Sequence, residues 1–264
     1  MHTMTMIRSI IDAIEAYAPL RLQEDYDNCG LQLGFPDTPV SKVLVSLDIS
    51  EEVIDEAIAK GCNLVVSHHP LIFRPLRSIS GATWQQRCVI KALSEGIALY
   101  SAHTNLDNVR GGVNYKIAEM IGLSGGLEWL RPVCADEAGS GVIGELPCGE
   151  DAGEFILRLK EIFGVECIRH NCTQKKTIRR VALCGGAGAF LMKDALEKGA
   201  DCFITGELHY HDFFDGEGMI LVELGHFQSE QFTSCLLRDV IHESVPEVEI
   251  LLAETQTNPI RYAL

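Results

Sequence analysis

The chain has 264 residues, a formal net charge of −15 and 47% hydrophobic residues, enough for one large domain or two smaller ones with a buried core. That charge excludes nucleic acid and anionic membrane as principal partners, because phosphate surfaces select a basic face. No stretch reaches the ~18–20 apolar residues of a membrane span. The opening MHTMTMIRSIIDAIEAY is interrupted by acids and predicts an amphipathic helix, not a secretory leader.

In chain order, DYDNCGLQLG predicts a polar turn with no catalytic demand. SKVLVSLDIS predicts a strand ended by Asp48 and Ser50. EEVIDEAIAKG predicts a helix with acids in its first turn and Gly61 as its stop. CNLVVSHHP is a second strand, WQQRCVIKALSEG a helix closing on Gly96, and IALYSAHTNLD a third strand. This alternation predicts parallel pairing with right-handed crossovers. GGLEWLRPVCADEAGSGVIGELP is glycine-punctuated, holds one predicted strand (GVIGELP) and marks the passage between modules. AGEFILRLKEIFG is an amphipathic helix. Then the pattern returns: IRRVALCGG a strand, AFLMKDALEKG a helix, ADCFITGE a strand, and MILVELGHFQSE a strand running into a helix. The expectation is an α/β fold with a first domain over 1–124, completed by 231–264, and a second over 125–230.

The two parts align on each other without gaps. AIAKGCNLVVSHH falls on ALEKGADCFITGE, setting His68 and His69 opposite Gly206 and Glu207. IALYSAHTNLD falls on ILVELGHFQSE, setting His103 opposite His226 and Asp107 opposite Glu230. Each part thus carries His-x-x-x-carboxylate just past a strand, which reads as an internal duplication of one α/β module.

In open α/β sheets ligands sit beyond the carboxyl ends of the strands, where this reading puts His68, His69, His103, Asp107, His226 and Glu230. His226 and Glu230, one helical turn apart, can share a face. Adjacent side chains of an extended chain diverge, so His68 and His69 suit two different ions. Three of these imidazoles with the two carboxylates make a nitrogen–oxygen set fitting zinc, iron or manganese. Five protein groups leave positions open on two ions, which is a hydrolytic layout. The carboxylates offset only half the charge of two divalent ions, so an anionic or electron-rich substrate is expected.

Other signals are open to two readings. CGGAGAF could approach a phosphate or simply make a tight turn, and it lacks the lysine of a P-loop. Arg74, Arg77 and Arg110 could grip phosphate or solvate a surface. Glu207, His209 and His211 in GELHYHD could orient ligands or belong to a capped turn. Ten cysteines, several inside apolar segments and none in C-x-x-C, predict buried reduced thiols in a cytoplasmic setting. No G-x-S-x-G occurs, which leaves a serine triad unsupported.

Taken together, DNCGLQLG, SHHPLIF, SAHTNLDNVRGGVN, TGELHYHD and GHFQSEQF resemble, in order and spacing, the Nif-three-like family, whose members are often named GTP cyclohydrolase I type 2 homologues. The resemblance covers essentially the whole chain and fits the compact form, without the domain some relatives insert. It implies two divalent ions per subunit on His68, His69, Asp107, His226 and Glu230, with the carboxylates bridging. His103 then lies beside the ions, suited to proton transfer. The resemblance further implies two α/β domains in a toroidal hexamer with its metal sites facing an internal cavity. The implied activity is hydrolytic opening of the guanine imidazole ring of GTP with loss of formate. Open alternatives are hydrolysis of another phosphorylated or heterocyclic metabolite, and a non-catalytic metal-binding regulatory protein.

Overall fold

A computed structural model describes residues 4–134, 137–173 and 176–263; residues 1–3 of the predicted opening segment and 135–136 of the middle passage lie outside the described residues. In chain order the elements are α1 (Ile7–Tyr17), β1 (Gly30–Leu33), β2 (Val43–Ser46), α2 (Glu51–Lys60), β3 (Leu64–Ser67), α3 (Trp84–Ser94), β4 (Ala98–Ser101) and α4 (Thr104–Asp107). Next come α5 (Val113–Ile121), β5 (Ser124–Cys134), β6 (Ala138–Asp151), α6 (Ala152–Phe163), β7 (Arg169–His170), β8 (Thr177–Cys184), α7 (Met192–Glu197), β9 (Cys202–Thr205), β10 (Ile220–Glu223) and α8 (His226–Glu230). The chain ends with α9 (Thr233–Ser244) and β11 (Ile250–Leu252). No described helix is long and apolar enough to cross a membrane. The chain divides into two compact units, Met1–Leu106 with Phe232–Pro259, and Asp107–Gln231 with Ile260–Leu264.

The first unit is built on a sheet of order β1-β4-β3-β2-β11. β2, β3 and β4 are buried throughout, as strands covered on both faces must be, and this is why each reads as an unbroken apolar run. Leu44, Val65 and Leu99 pack with Val53, Ile54 and Ala57 of α2 and Cys88, Val89 and Ala92 of α3. On the other side, α9 packs on β2 and α1 on α9, with Ile7, Ile10 and Ile14 of α1 buried at helical spacing. Local chemistry starts the crossover helices: Ser50 Oγ accepts from Val53 N at the head of α2, and the Thr83 side chain accepts from Gln86 N at the head of α3. The parallel register brings Ser46, Ser67 and Ser101 level, so the next residues of β3 and β4 emerge together at the carboxyl edge. Gly30–Leu33 of the predicted polar turn DYDNCGLQLG is a strand, because β1 pairs antiparallel with β4 at the sheet edge.

The second unit has the order β5-β6-β8-β9-β10-β7, with β8, β9 and β10 parallel. α7 and the turn that leads into it cover one face, packing Ala195 and Leu191 against Ala182, Phe203 and Leu221; α5 and α6 pack against β6 and β8. α5, placed by the sequence with the first domain, belongs to this unit through those contacts. The middle passage is a long antiparallel hairpin of two strands, not one. Gly125 and Gly126, both at positive φ (82° and 85°), accompany a register shift between Ser124 and Glu128, which breaks the alternation that would have announced β5. The predicted helix AFLMKDALEKG opens as a 3-10 turn at Ala189–Leu191 before α7 begins.

Candidate metal centre

In the first unit, the turns after β3 and β4 lie side by side because those strands are paired neighbours. Ser67 Oγ is 2.8 Å from Ser101 Oγ and also donates to the carbonyl of His69 at 2.8 Å. These bonds accompany a turn out of the pleat past Ser67. The rings of His68 and His69, expected to diverge, therefore stay 5.0 Å apart between centroids, tilted by 44°. The His103 ring stands 5.2 Å from His68 and 5.5 Å from His69. The ligand nitrogens of the three residues lie within 4.8 Å of one another, a group that could hold a metal ion.

Each of these rings is held through Nδ1. His68 Nδ1 is 2.8 Å from the carbonyl oxygen of Ala102. His69 Nδ1 is 2.7 Å from Asp48 Oδ1, while Asp48 Oδ2 accepts from Thr257 Oγ1 at 2.7 Å. His103 Nδ1 is 2.9 Å from both oxygens of Asp27. An acceptor at Nδ1 keeps the proton there and leaves Nε2 as a lone pair, the state that a liganding or basic imidazole needs.

Asp27 is the more enclosed of the two carboxylates, with no exposed side-chain surface against 35% for Asp48. It also accepts from Asn28 N at 2.7 Å, Thr104 N at 3.0 Å, Cys29 Sγ at 3.0 Å and the Thr104 hydroxyl. Burial pushes its pKa up, but the hydrogen bond and charge of His103, with the bonds from Thr104 and Cys29, outweigh burial and hold the carboxyl well below the usual range. The Cys29 thiol is pushed up to about 12, by burial first, with the Asp27 charge adding to it. It is a hydrogen-bond donor and no nucleophile. Neither Asp27 nor Asp48 stood out in the sequence as a histidine partner. Asp27 sits in an apparent turn 76 positions from His103, and Asp48 reads as a strand-end cap.

In the second unit, α8 begins at His226, and its Nε2 lies 3.1 Å from Glu230 Oε2 one turn on, as the spacing predicted. His226 Nδ1 is 2.7 Å from Glu207 Oε1, so of the residues in GELHYHD it is Glu207 that orients a ring. His209 and His211 are exposed, and the backbone N–H of His209 donates to Asp212 in a capped turn. Glu230 is buried. The glycine turn CGGAG closes against it: Gly186 N donates to Ser229 Oγ at 3.0 Å, and Gly206 N donates to the Gly186 carbonyl at 2.8 Å. A Cβ on Gly186 would collide with Glu230 Oε1 and come within 3.3 Å of His226 Nε2. The tight-turn reading therefore holds, and the turn walls the carboxylate in. Asp107 closes α4, and its carbonyl accepts from Asn114 Nδ2 at 3.1 Å. Arg110 is taken up by Tyr115, whose hydroxyl it meets at 2.6 Å, and lies over the Trp129 ring; Arg74 and Arg77 are exposed on the loop after His69.

A profile of the family described as Duf34/NIF3 (NGG1p interacting factor 3) matches residues 5–259. A Lactococcus lactis protein named GTP cyclohydrolase 1 type 2 homolog is 37% identical over 252 residues, covering 93% of this chain and 95% of its own. A Clostridium perfringens protein of the same name is 34% identical over 259 residues, covering 97% and 99%. The crystal structure of a Bacillus cereus protein related to NIF3 superposes with a TM-score of 0.92 at 25% identity, covering 99% of this chain and 100% of that one. With a profile match over nearly its full length and relatives above 30% identity, the chain belongs to the Duf34/NIF3 family.

Proposed function

We propose that this chain is a dinuclear, divalent-metal-dependent hydrolase of the GTP cyclohydrolase 1 type 2 kind. Its ligands would be His68, His69, Asp107, His226 and Glu230. The single observation that carries the reading is the fixing of candidate imidazoles through Nδ1, by Ala102 and Asp48 in the first unit and by Glu207 in the second. Rings held in this way present Nε2 in the tautomer a metal requires. The donor set fits zinc, iron or manganese. When bound, such ions supply Lewis acidity and lower the pKa of coordinated water toward neutrality. The chain's own part is then to orient the ligands, to keep Glu230 enclosed, and to move protons at His103 Nε2. The substrate would be anionic. GTP is the leading candidate, through hydrolysis of its imidazole ring with release of formate, in keeping with the names of the Lactococcus and Clostridium relatives.

The test is elemental analysis of purified protein, followed by reconstitution with zinc, manganese or ferrous iron and assay of formate and pterin formed from GTP. Asp107→Asn, which keeps shape but removes a charge, should lose or weaken metal and abolish turnover. Full metal content in that variant would refute the ligand set. A second reading is favoured by the family description itself, which names an interacting factor: a metal-binding regulatory protein without turnover. Retained metal, inert GTP and other metabolites, and a specific protein partner would select it. Self-association to a homohexamer rests on family resemblance, and light scattering reads it directly.

A further inference from the structure

Of the histidines described above, His103 is held differently. His69 and His226 lean on carboxylates that still meet solvent, Asp48 at 35% and Glu207 at 58% side-chain exposure, whereas the Asp27 side chain has none. The Asp27 oxygens are also shared with the backbone N–H groups of Asn28 and Thr104, the Thr104 hydroxyl and the Cys29 thiol. The peptide N–H donors cannot turn round to become acceptors, so they fix the direction of the hydrogen bonds and the orientation of the carboxylate plane. The backbone N–H of His103 is pinned as well, donating to Asn105 Oδ1 at 3.0 Å, while Asn105 Nδ2 donates to the Ala18 carbonyl at 2.6 Å. An acceptor that cannot rotate, facing a ring whose backbone cannot shift, leaves His103 one tautomer and one orientation.

From this we infer that Asp27 is a positioning residue: it sets the proton of His103 on Nδ1 and thereby offers Nε2 as the base of the site. The role of that base rests on the hydrolase reading above, but the tautomer itself does not. The carboxylate and its donors form a rigid seat for one imidazole, where the partners of the other rings are carbonyl or half-exposed carboxylate oxygens. A neutral amide in place of Asp27 turns one oxygen into a donor, in a seat that already supplies several donors, and the Nδ1–H form loses its reason to prevail.

Long-range proton–nitrogen correlation spectra of 15N-labelled full-length protein, both metal-free and zinc-loaded, read the tautomer directly. The expected result is a His103 carrying its proton on Nδ1 in the unchanged protein, shifting wholly or partly to Nε2–H in Asp27→Asn. Cys29→Ala, which removes one donor from Asp27 without touching the ring, should leave the tautomer as it was. If the hydrolase reading holds, Asp27→Asn should lower kcat on the order of 10²-fold, the scale of a lost acid–base group, with KM and metal content within about twofold. An Nε2–H tautomer in the unchanged protein overturns the inference with no variant needed. So does an unchanged tautomer in a folded Asp27→Asn, or a loss of metal in that variant that accounts for the whole loss of rate. Absence of any turnover in the unchanged protein would overturn the hydrolase reading alone, and the spectra would still decide the role of Asp27.

Discussion

Glu230 shows how one residue's environment can be set by a neighbour with no side chain. Gly186 adopts φ 57°, and any Cβ there would enter the space of Glu230 Oε1. Gly185, in the same turn, would place a Cβ 3.1 Å from Ile117 Cδ1 and 3.5 Å from Glu230 Cγ, contacts that a small side-chain movement can relieve. Gly186→Ala should therefore cost about 1–3 kcal/mol, from left-handed backbone strain and displacement of the carboxylate together. Gly185→Ala should cost clearly less. Urea unfolding of the two variants side by side checks this, and equal losses would mean that contact with Glu230 is not what requires glycine at position 186.

At the level of elements, α2 is tied to the segment after β11 through one side chain. Glu56 meets Lys60 Nζ at 2.7 Å and accepts from the backbone N–H groups of Glu254 and Thr255, at 2.8 and 2.9 Å, and from Thr255 Oγ1 at 2.6 Å. Burial raises the pKa of this carboxyl, but the bonds from Lys60, Thr255 and Glu254 prevail and bring it down to about 2 from an ordinary 4.5. A carboxyl whose folded value is depressed stabilises fully above its unfolded value and loses that contribution as pH falls through the folded one. The stability difference between the unchanged protein and Glu56→Gln should accordingly be present at pH 6, on the order of 1–3 kcal/mol. It should shrink between pH 4.5 and 2, as denaturant unfolding at several pH values would show. A difference that persists undiminished at pH 2 would mean that the charge of Glu56 is not what fastens the two segments.

For the molecule as a whole, the net charge of −15 favours cation uptake and disfavours polyanionic partners. A ligand that binds only the folded chain stabilises it by mass action, by about 2.7 kcal/mol at a free concentration a hundred times Kd. If the proposed divalent ions are bound, their removal with a chelator should therefore lower Tm by roughly 5–10 °C for a chain of this size. Readdition of zinc or manganese should restore it, as a thermal melt would read. A chelated protein melting at the same temperature as the reloaded one would remove the thermodynamic support for a resident metal.

Much of this was legible from residue order. The runs VLVS, LVVS and ALYS announced buried parallel strands, and Ser50, Gly61 and the acids of EEVIDE announced α2, because periodicity, capping and helix dipoles act over a few neighbouring residues. The duplication placed His103 and His226 just past matching strands, and the spacing of His226 to Glu230 became one turn of α8. The bulged strand β5 was hidden, since a register shift at glycines destroys the alternation by which strands are recognised. The seating of the histidines was decided only by tertiary structure. Asp27 reaches His103 across 76 positions, Asp48 reaches His69 across 21, and Glu207 reaches His226 across 19. Such pairings depend on which strand ends the sheet brings level and which loops pack over them, and no pattern confined to a short window encodes that.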